Sequence, residues 1–231
     1  MKTPEGFPFK ENPKKIEAGH GRLFNLPSAP DKIIRNIDPR VYENGKVIQS
    51  NKTSALKTIS LFNELKKYIP TPAEMVIAKL SDKPESLYMV TDKIEGQELS
   101  DILYSEVPLP SEMREALSVE LNSLYLSWLE YVKSKSETGG SYFSDIFKNR
   151  QYVFGTRRTE KEPHLYLVDT DPYFEDARPE EPDRYKGLYL RLCLEIKFEI
   201  EDAKDILGPT RFEEVNTKLA ELKKLFEKET A

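Results

Sequence analysis

At 231 residues the chain is long enough to bury a hydrophobic core, either as one domain or as two small lobes. Charged residues make up 32% of it and the formal net charge is -5, which excludes a general electrostatic affinity for nucleic acid or for anionic membranes. One cysteine, Cys193, and two histidines exclude a disulfide framework and a thiolate or histidine metal site. The sequence has neither a signal-peptide core nor a long apolar span, so we expect a cytoplasmic protein.

The first part of the chain is rich in predicted strands. Residues 1–15 contain many Pro, Lys and Glu residues and are expected to form a flexible leader. After them, Asn44-Gly45 predicts a tight hairpin, and Pro70 ends the one amphipathic helix of this part. The predicted strands span residues 22–26, 32–37, 41–49 (the hairpin), 74–80 and 87–94, and the helix spans residues 53–69.

The second part is predicted to be mainly helical. Gly139-Gly140 ends a long helix, and Gly208-Pro209 separates the last two. Strands followed by helices favour the α+β fold class. The predicted helices span residues 99–104, 111–135, 183–207 and 211–229, and a single hairpin combines residues 151–155 with 164–168.

Two aspartates flank that hairpin. Asp169 follows an apolar strand in the run LVDTDP, with Asp171 close behind it, and Asp145 precedes the hairpin. Carboxylates in these places are typical of a nucleotide-phosphate site, where they hold a metal and place a nucleophile. Asp-Thr-Asp-Pro is also a favourable turn sequence by itself, so the functional interpretation depends on the segments that precede it.

Four segments in chain order carry a resemblance to a known family. They are residues 16–24 (IEAGHGRLF), 32–35 (KIIR), 87–99 (LYMVTDKIEGQEL) and 143–155 (FSDIFKNRQYVFG). Together they resemble the protein-kinase-like fold, and within it the aminoglycoside and choline phosphotransferase branch. The resemblance implies a two-lobed fold that binds ATP and Mg²⁺, with a strand-rich N-lobe containing one helix over residues 16–91 and a mainly helical C-lobe over residues 92–231.

The resemblance assigns the phosphate-binding positions to the N-lobe. Gly19 and Gly21 would cover the phosphates, because a backbone without Cβ brings its N–H groups close to phosphate oxygens. Arg35 stands where the family has a lysine that neutralises the phosphates, and Glu64 is its expected partner. A solvated charge on a helix surface is the equal alternative for Glu64.

The resemblance also places the adenine. Backbone groups of Asp92 and Ile94 would provide one donor and one acceptor to the base, and Thr91 would flank its pocket. An ordinary edge strand that ends in a glycine turn is the alternative interpretation of this segment.

The catalytic positions follow in the C-lobe. Asp145 matches the family's catalytic acid, which orients or deprotonates the attacking hydroxyl. The family's asparagine position falls between Asn149, one residue early, and Gln151, one residue late. Asp169 and Asp171 match the Mg²⁺ ligands, since Mg²⁺ prefers hard oxygen ligands.

Three hypotheses follow, because some positions depart from the family pattern. Phe143 replaces a histidine, Arg35 replaces a lysine, and the asparagine register is displaced. In the first hypothesis the chain is an ATP- and Mg²⁺-dependent phosphotransferase that acts on a small hydroxyl-bearing acceptor. In the second it is a catalytically inactive kinase-like protein (a pseudokinase) that binds nucleotide or a protein partner. In the third it is an α+β interaction protein that binds no nucleotide. In the phosphotransferase hypothesis, the acidic residues within 173–184 would attract a cationic acceptor. The alternative interpretation of these residues is a disordered acidic loop. No nucleic-acid or membrane partner is expected.

Overall fold

The computed structural model describes residues 14–15, 23–36, 42–43, 46–47, 60, 63–71, 76–80, 83–143, 145–168, 173–177 and 182–228. In these residues strands dominate up to Glu98 and helices dominate after it. The predicted α+β class is therefore confirmed.

A five-stranded antiparallel sheet contains most of the N-terminal strands, in the order β1-β2-β3-β7-β6. Two residues of the predicted leader, Lys14 and Lys15, belong to it as β1. Strand β3 starts earlier than predicted and includes Pro30, which precedes the first residue paired with β7, so its missing N–H breaks no bond of that pairing. The strands are β1 (Lys14–Lys15), β2 (Leu23–Leu26), β3 (Ala29–Asn36), β6 (Val76–Leu80) and β7 (Lys83–Asp92).

A second sheet follows directly from β7 through residues 93–94. It has the order β11-β10-β8, with β8 at Glu95–Glu98, β10 at Tyr152–Thr156 and β11 at His164–Leu167. The predicted hairpin is confirmed as β10 and β11, whereas β8 was not predicted. This sheet connects the end of the first sheet to the hairpin that follows Asp145.

A third sheet joins distant parts of the chain in the order β5-β4-β12-β9. The predicted Asn44-Gly45 hairpin is confirmed as β4 (Tyr42–Glu43) and β5 (Lys46–Val47). Strand β12 (Tyr173–Ala177) pairs in parallel with β4 and antiparallel with β9 (Gly140–Phe143). The expectation of a loop is therefore wrong for residues 173–177, because pairing on both sides fixes that backbone as a strand.

The helices are α1 (Leu99–Leu103), α2 (Ser111–Thr138), α3 (Pro182–Asp202) and α4 (Lys204–Lys228). Gly139 ends α2 with a φ of 69°, and Gly208 interrupts α4 with a φ of 72°, so both predicted breaks are confirmed. A further turn at Ala203 separates α3 from α4. None of the helices in the described ranges is long and apolar enough to cross a membrane.

Helix α2 supplies the centre of the core. Trp128 is fully buried, and its ring contacts those of Tyr125, Phe147 and Tyr152 at centroid distances of 5.0, 5.8 and 5.7 Å. The apolar side chains Leu117, Leu121, Leu124 and Leu129 of α2 are buried with it. Cys193 is also buried, and burial raises the pKa of its thiol to about 11.

The described end of the predicted N-terminal helix packs on α2. Leu65 and Ile69 are buried in the same core as Trp128. The rings of Tyr68 and Tyr131 meet edge to face at 5.5 Å, and the Tyr68 hydroxyl donates to Ser134 Oγ at 3.1 Å. This helix, which precedes β6 and β7 in the chain, is therefore attached to α2 of the helical part of the protein.

Gly96 and Gly155 allow β8 and β10 to pair closely, and this gives a testable prediction. A Cβ on Gly96 would lie 2.2 Å from the Phe154 carbonyl oxygen. We expect Gly96→Ala to lower the free energy of unfolding by about 1 to 3 kcal/mol, because backbone atoms of β10 have to move. Urea denaturation measures the change.

Gly187 provides the matched control, because a Cβ there meets nothing within 4 Å. Gly187→Ala on the exposed side of α3 is expected to be neutral or to stabilise by up to about 1 kcal/mol. Equal effects of the two substitutions would contradict the close pairing.

Candidate active site

Asp145 lies in the short connection between β9 and β10. The two residues that follow it, Ile146 and Phe147, are fully buried and fix the backbone of the connection in the core. The side chain of Asp145 itself is 13% exposed. A carboxylate held at the surface of the core in this way can meet a ligand without being solvated on all sides.

Two side chains contact the carboxylate of Asp145. Gln151 Nε2 donates to Oδ2 at 2.6 Å, and Lys148 Nζ forms an ion pair and hydrogen bond with Oδ1. Both partners come from one 3-10 turn at Asn149–Gln151 and its preceding residue. The contacts fix the rotation of the carboxylate, and each oxygen has a second lone pair that neither of these two side chains uses.

Asn149 is directed away from Asp145. Its Oδ1 accepts from the Tyr125 hydroxyl at 2.8 Å, and its Nδ2 donates to the Glu199 carbonyl oxygen at 3.0 Å. Its backbone N–H donates to Glu199 Oε2 at 2.8 Å. Of the two residues that flank the family's asparagine position, the structure therefore brings Gln151 to Asp145, and both polar atoms of the Asn149 amide are used in the core.

Glu199 is a residue of this neighbourhood that the sequence analysis missed. Burial raises the pKa of its carboxyl group and Asp202 raises it further, against the Asn149 N–H and the positive charges of Lys148 and Arg150. A signal was present in the sequence, because position 199 lies three residues after buried Ile196 on the apolar stripe of α3. An acid on such a stripe requires a partner inside the protein.

The predicted metal ligands Asp169 and Asp171 lie outside the described residues, but the chain on both sides of them is described. On one side, the Val168 N–H donates to the Gln151 carbonyl oxygen at 2.9 Å. On the other side, Phe174 of β12 is paired with Phe143 of β9. Both ends of the segment 169–172 are thus attached to residues that flank Asp145.

No group of three or more acids, histidines or cysteines in the described ranges could hold a metal ion. The glycines predicted to cover phosphate, Gly19 and Gly21, also lie outside those ranges. For Arg35 the backbone is described, paired with Leu23 and Met89, and the side chain is not. The roles of these residues stay predictions.

The predicted adenine-binding segment begins where β7 leaves the first sheet. The Lys93 N–H donates to the Asp31 carbonyl oxygen of β3 at 2.8 Å. Because backbone groups alternate along a strand, those of Asp92, the last residue of β7, point to the side away from β3. On that side β6 begins at Val76, which pairs with Val90, so no described strand lies beside Asp92 there.

The side chains of this segment are less free than its backbone. Asp92 forms an ion pair with Lys32 at 2.5 Å across the β3–β7 pair. Thr91 pairs with Ile33 in the same ladder and is partly buried. The role of the Asp92 and Ile94 main-chain atoms in nucleotide binding, which the resemblance implies, stays a prediction.

Glu64 has a different partner from the one expected. Its Oε1 lies 2.6 Å from Nζ of Lys135 on α2, whose side chain is only 8% exposed. The alternative of a fully solvated Glu64 is wrong, because its side chain is 34% exposed and paired. A contact with Arg35 stays a prediction, since that side chain is not described.

No model of a known protein family matches this chain, and no curated protein matches it. Among solved structures, WaaP in complex with acyl carrier protein is similar at 13% sequence identity and a TM-score of 0.40. The match covers 94% of this chain and 87% of that chain. At this identity and TM-score the similarity carries no conclusion about activity or partners, which have to be inferred from this chain's own residues.

The ion pair between Glu64 and Lys135 gives a second prediction. Glu64→Gln leaves a nearly buried ammonium without its carboxylate, which costs more than removing both charges. In a double-mutant cycle with Lys135→Met, we expect a coupling free energy of about 1 kcal/mol or more from urea denaturation. A matched cycle of Glu64→Gln with Arg35→Met is expected to show additive effects, and strong coupling there would instead support the original assignment.

The raised pKa of Glu199 gives a third prediction. A carboxyl group whose pKa rises on folding adds stability below its unfolded pKa of about 4.5 and loses that contribution as pH rises through the folded value. The difference in unfolding free energy between wild type and Glu199→Gln should therefore move in favour of the variant between about pH 4 and pH 7.

Urea denaturation across this pH range measures the difference. The same substitution at Glu195, which forms an exposed pair with Arg191 on α3, is the control. A difference for Glu199→Gln that stays constant or moves in favour of wild type would contradict the burial of this carboxyl group.

Proposed function

We propose that this chain is a phosphotransferase that uses ATP and Mg²⁺ to phosphorylate a small hydroxyl-bearing acceptor. The observation that carries the proposal is the carboxylate of Asp145, oriented by Lys148 and Gln151 beside the attachment points of the segment that contains Asp169. The proposal includes a two-lobed kinase-like arrangement. The N-lobe is residues 16–91, which contain most of the first sheet, and the C-lobe is residues 92–231.

Asp145 acts on the acceptor hydroxyl in this proposal. Among the described residues each of its oxygens has one contact, and a carboxylate oxygen with one contact keeps a lone pair that can accept a hydrogen bond from the acceptor. That hydrogen bond orients the hydroxyl. The Asp145 carboxylate then takes the hydroxyl proton as the phosphoryl group moves from ATP to the hydroxyl oxygen. Gln151 holds the carboxylate in this rotation, and Lys148 places a positive charge beside the reacting groups.

Asp169 and Asp171 would hold Mg²⁺. Two carboxylates separated by one residue form a hard-oxygen donor set that suits this ion, which completes its coordination with phosphate oxygens and water. Held by these two residues, the ion would supply positive charge that neutralises the phosphates. The attachment of Val168 to Gln151 and of Phe174 to Phe143 supports placing this donor set close to Asp145.

The adenine would bind at the backbone of Asp92 and Ile94. The backbone groups of Asp92 point away from β3, which supports the donor and acceptor role inferred from the resemblance. The residues after Ile94 pair directly with β10, so the adenine segment and the Asp145 loop are connected through one small sheet. Gly19, Gly21 and Arg35 would contact the phosphates from the N-lobe.

A catalytically inactive kinase-like protein that binds nucleotide or a protein partner is the second candidate. The hydrogen bonds of the Asn149 amide to Tyr125 and Glu199 favour this candidate. They leave Gln151 as the residue that can take the place of the family's asparagine beside Asp145. This candidate shares nucleotide binding with the first and differs from it in turnover.

A fourth prediction separates the candidates. ATP with Mg²⁺ at about 100 times its Kd should raise the Tm by roughly 5 to 10 °C, and ATP with EDTA should raise it less.

Asp169→Asn should abolish Mg²⁺-dependent ATP turnover, since it removes an anionic metal ligand. Asp145→Asn should lower kcat by about 10²- to 10⁴-fold and leave the ATP affinity unchanged, because its role lies in the acceptor step.

Asp101→Asn is the matched control, because Asp101 is an exposed residue of α1. Arg35→Lys should reduce activity in an enzyme whose site is adapted to arginine, and should strengthen nucleotide binding in an inactive descendant. Nucleotide binding without turnover selects the second candidate. ATP that leaves the Tm of the wild type and of every variant unchanged contradicts the first candidate and the nucleotide-binding form of the second.

A further inference from the structure

The C-terminal end of α3 contacts the loop that carries Asp145 through two hydrogen bonds. Glu199 accepts the Asn149 N–H through its carboxylate and the Asn149 side chain through its backbone carbonyl. The Tyr125 hydroxyl of α2 reaches both partners, at 2.8 Å to Asn149 Oδ1 and 3.1 Å to the Glu199 carbonyl. Both helices therefore meet the loop at the same residue.

The end of α3 explains why the Glu199 carbonyl accepts side-chain donors. The last four carbonyl groups of a helix have no partner within it. Here the Ala203 N–H donates to the carbonyl of Ile200 at 3.2 Å, a tighter turn than the α-helical bond to residue 199. Asn149 and Tyr125 satisfy the Glu199 carbonyl instead, so the helix end and the loop complete each other's hydrogen bonds.

The geometry of the 3-10 turn connects this contact to Asp145. The Gln151 N–H donates to the Lys148 carbonyl oxygen at 3.0 Å and closes the turn between these two residues. Both of their side chains contact Asp145. Asn149 lies between these two residues in the turn, and its side chain projects away from Asp145 toward Glu199. Its backbone N–H donates to the Glu199 carboxylate. Holding residue 149 against α3 therefore sets the direction of residues 148 and 151.

We propose that Glu199, acting through Asn149 and supported by Tyr125, is a positioning residue that orients Asp145 for catalysis. The inference rests on the proposed phosphotransferase function for its effect on rate, and it has a structural part that can be measured without turnover. Glu199 is partly buried and touches the loop through both its side chain and its backbone. Removing the side-chain acceptor releases the backbone of residue 149 while Asp145 and its two partners are unchanged in sequence.

Three variants test the proposal in the full chain. Glu199→Leu removes the acceptor, Glu199→Gln keeps an oxygen that accepts the same N–H, and Tyr125→Phe removes the hydroxyl while preserving the buried ring. Glu195→Leu is the control, since it makes the same chemical change one turn earlier on α3 in an exposed ion pair. Circular dichroism and thermal unfolding verify that each variant is folded.

Amide hydrogen exchange is the first measurement, and it needs no activity. We expect Glu199→Leu to speed exchange in residues 148–151 by at least about tenfold, because a hydrogen bond to a charged acceptor is lost. Glu199→Gln should retain most of the protection, Tyr125→Phe should lose part of it, and Glu195→Leu should match wild type. Exchange that is unchanged in Glu199→Leu overturns the proposal, as does a Glu199→Gln variant that behaves like Glu199→Leu.

Steady-state kinetics with ATP is the second measurement. Glu199→Leu should lower kcat by up to about 10²-fold with KM for ATP unchanged, since a misplaced catalytic group affects the chemical step. Lost protection with an unchanged kcat overturns the positioning role. A wild-type protein without turnover contradicts the proposed function instead, and the exchange experiment still decides whether Glu199 orders the loop.

Discussion

The hydrogen-bond chain from Trp128 through Tyr152 to the backbone of Ile146 is the interaction on which the candidate site most depends. Trp128 Nε1 donates to the Tyr152 hydroxyl at 2.8 Å, which donates to the Ile146 carbonyl oxygen at 2.9 Å. All of these groups are buried, so an unpaired member would leave a polar atom without water. The residue next to Ile146 is Asp145, and its distance from α2 is therefore determined by the packing of two aromatic rings.

The chemistry of these aromatic side chains suits the role. Burial raises the pKa of both Tyr125 and Tyr152, so each hydroxyl stays neutral and remains a donor over the whole range of ordinary pH. Their rings have few rotatable bonds and pack against Trp128 in tilted or edge-to-face geometry. A loop held by such groups keeps its shape in the absence of any ligand, which is the condition for a preorganised catalytic carboxylate.

Local patterns in the sequence were sufficient to predict most of the helices and strands, because these elements depend on residues that are neighbours in the chain. The periodic apolar residues of α2, the Asn44-Gly45 hairpin and the helix breaks at Gly139 and Gly208 follow from backbone preferences and binary pattern. Strands β9 and β12 could not be predicted from local patterns. Both are short, β12 is acidic, and each is stabilised by a partner more than 25 positions away in the chain.

For the site, the residue types and their order were determined by the sequence alone: a carboxylate at 145, amides at 149 and 151, and acids after the β10–β11 hairpin. Only the tertiary structure decided which amide serves Asp145, because Asn149 and Gln151 differ by two positions on a 3-10 turn and so face different surroundings. It likewise assigned Lys135 to Glu64 and brought Glu199 to the loop. Such pairings depend on how helices distant in sequence pack together, and no local pattern records that packing.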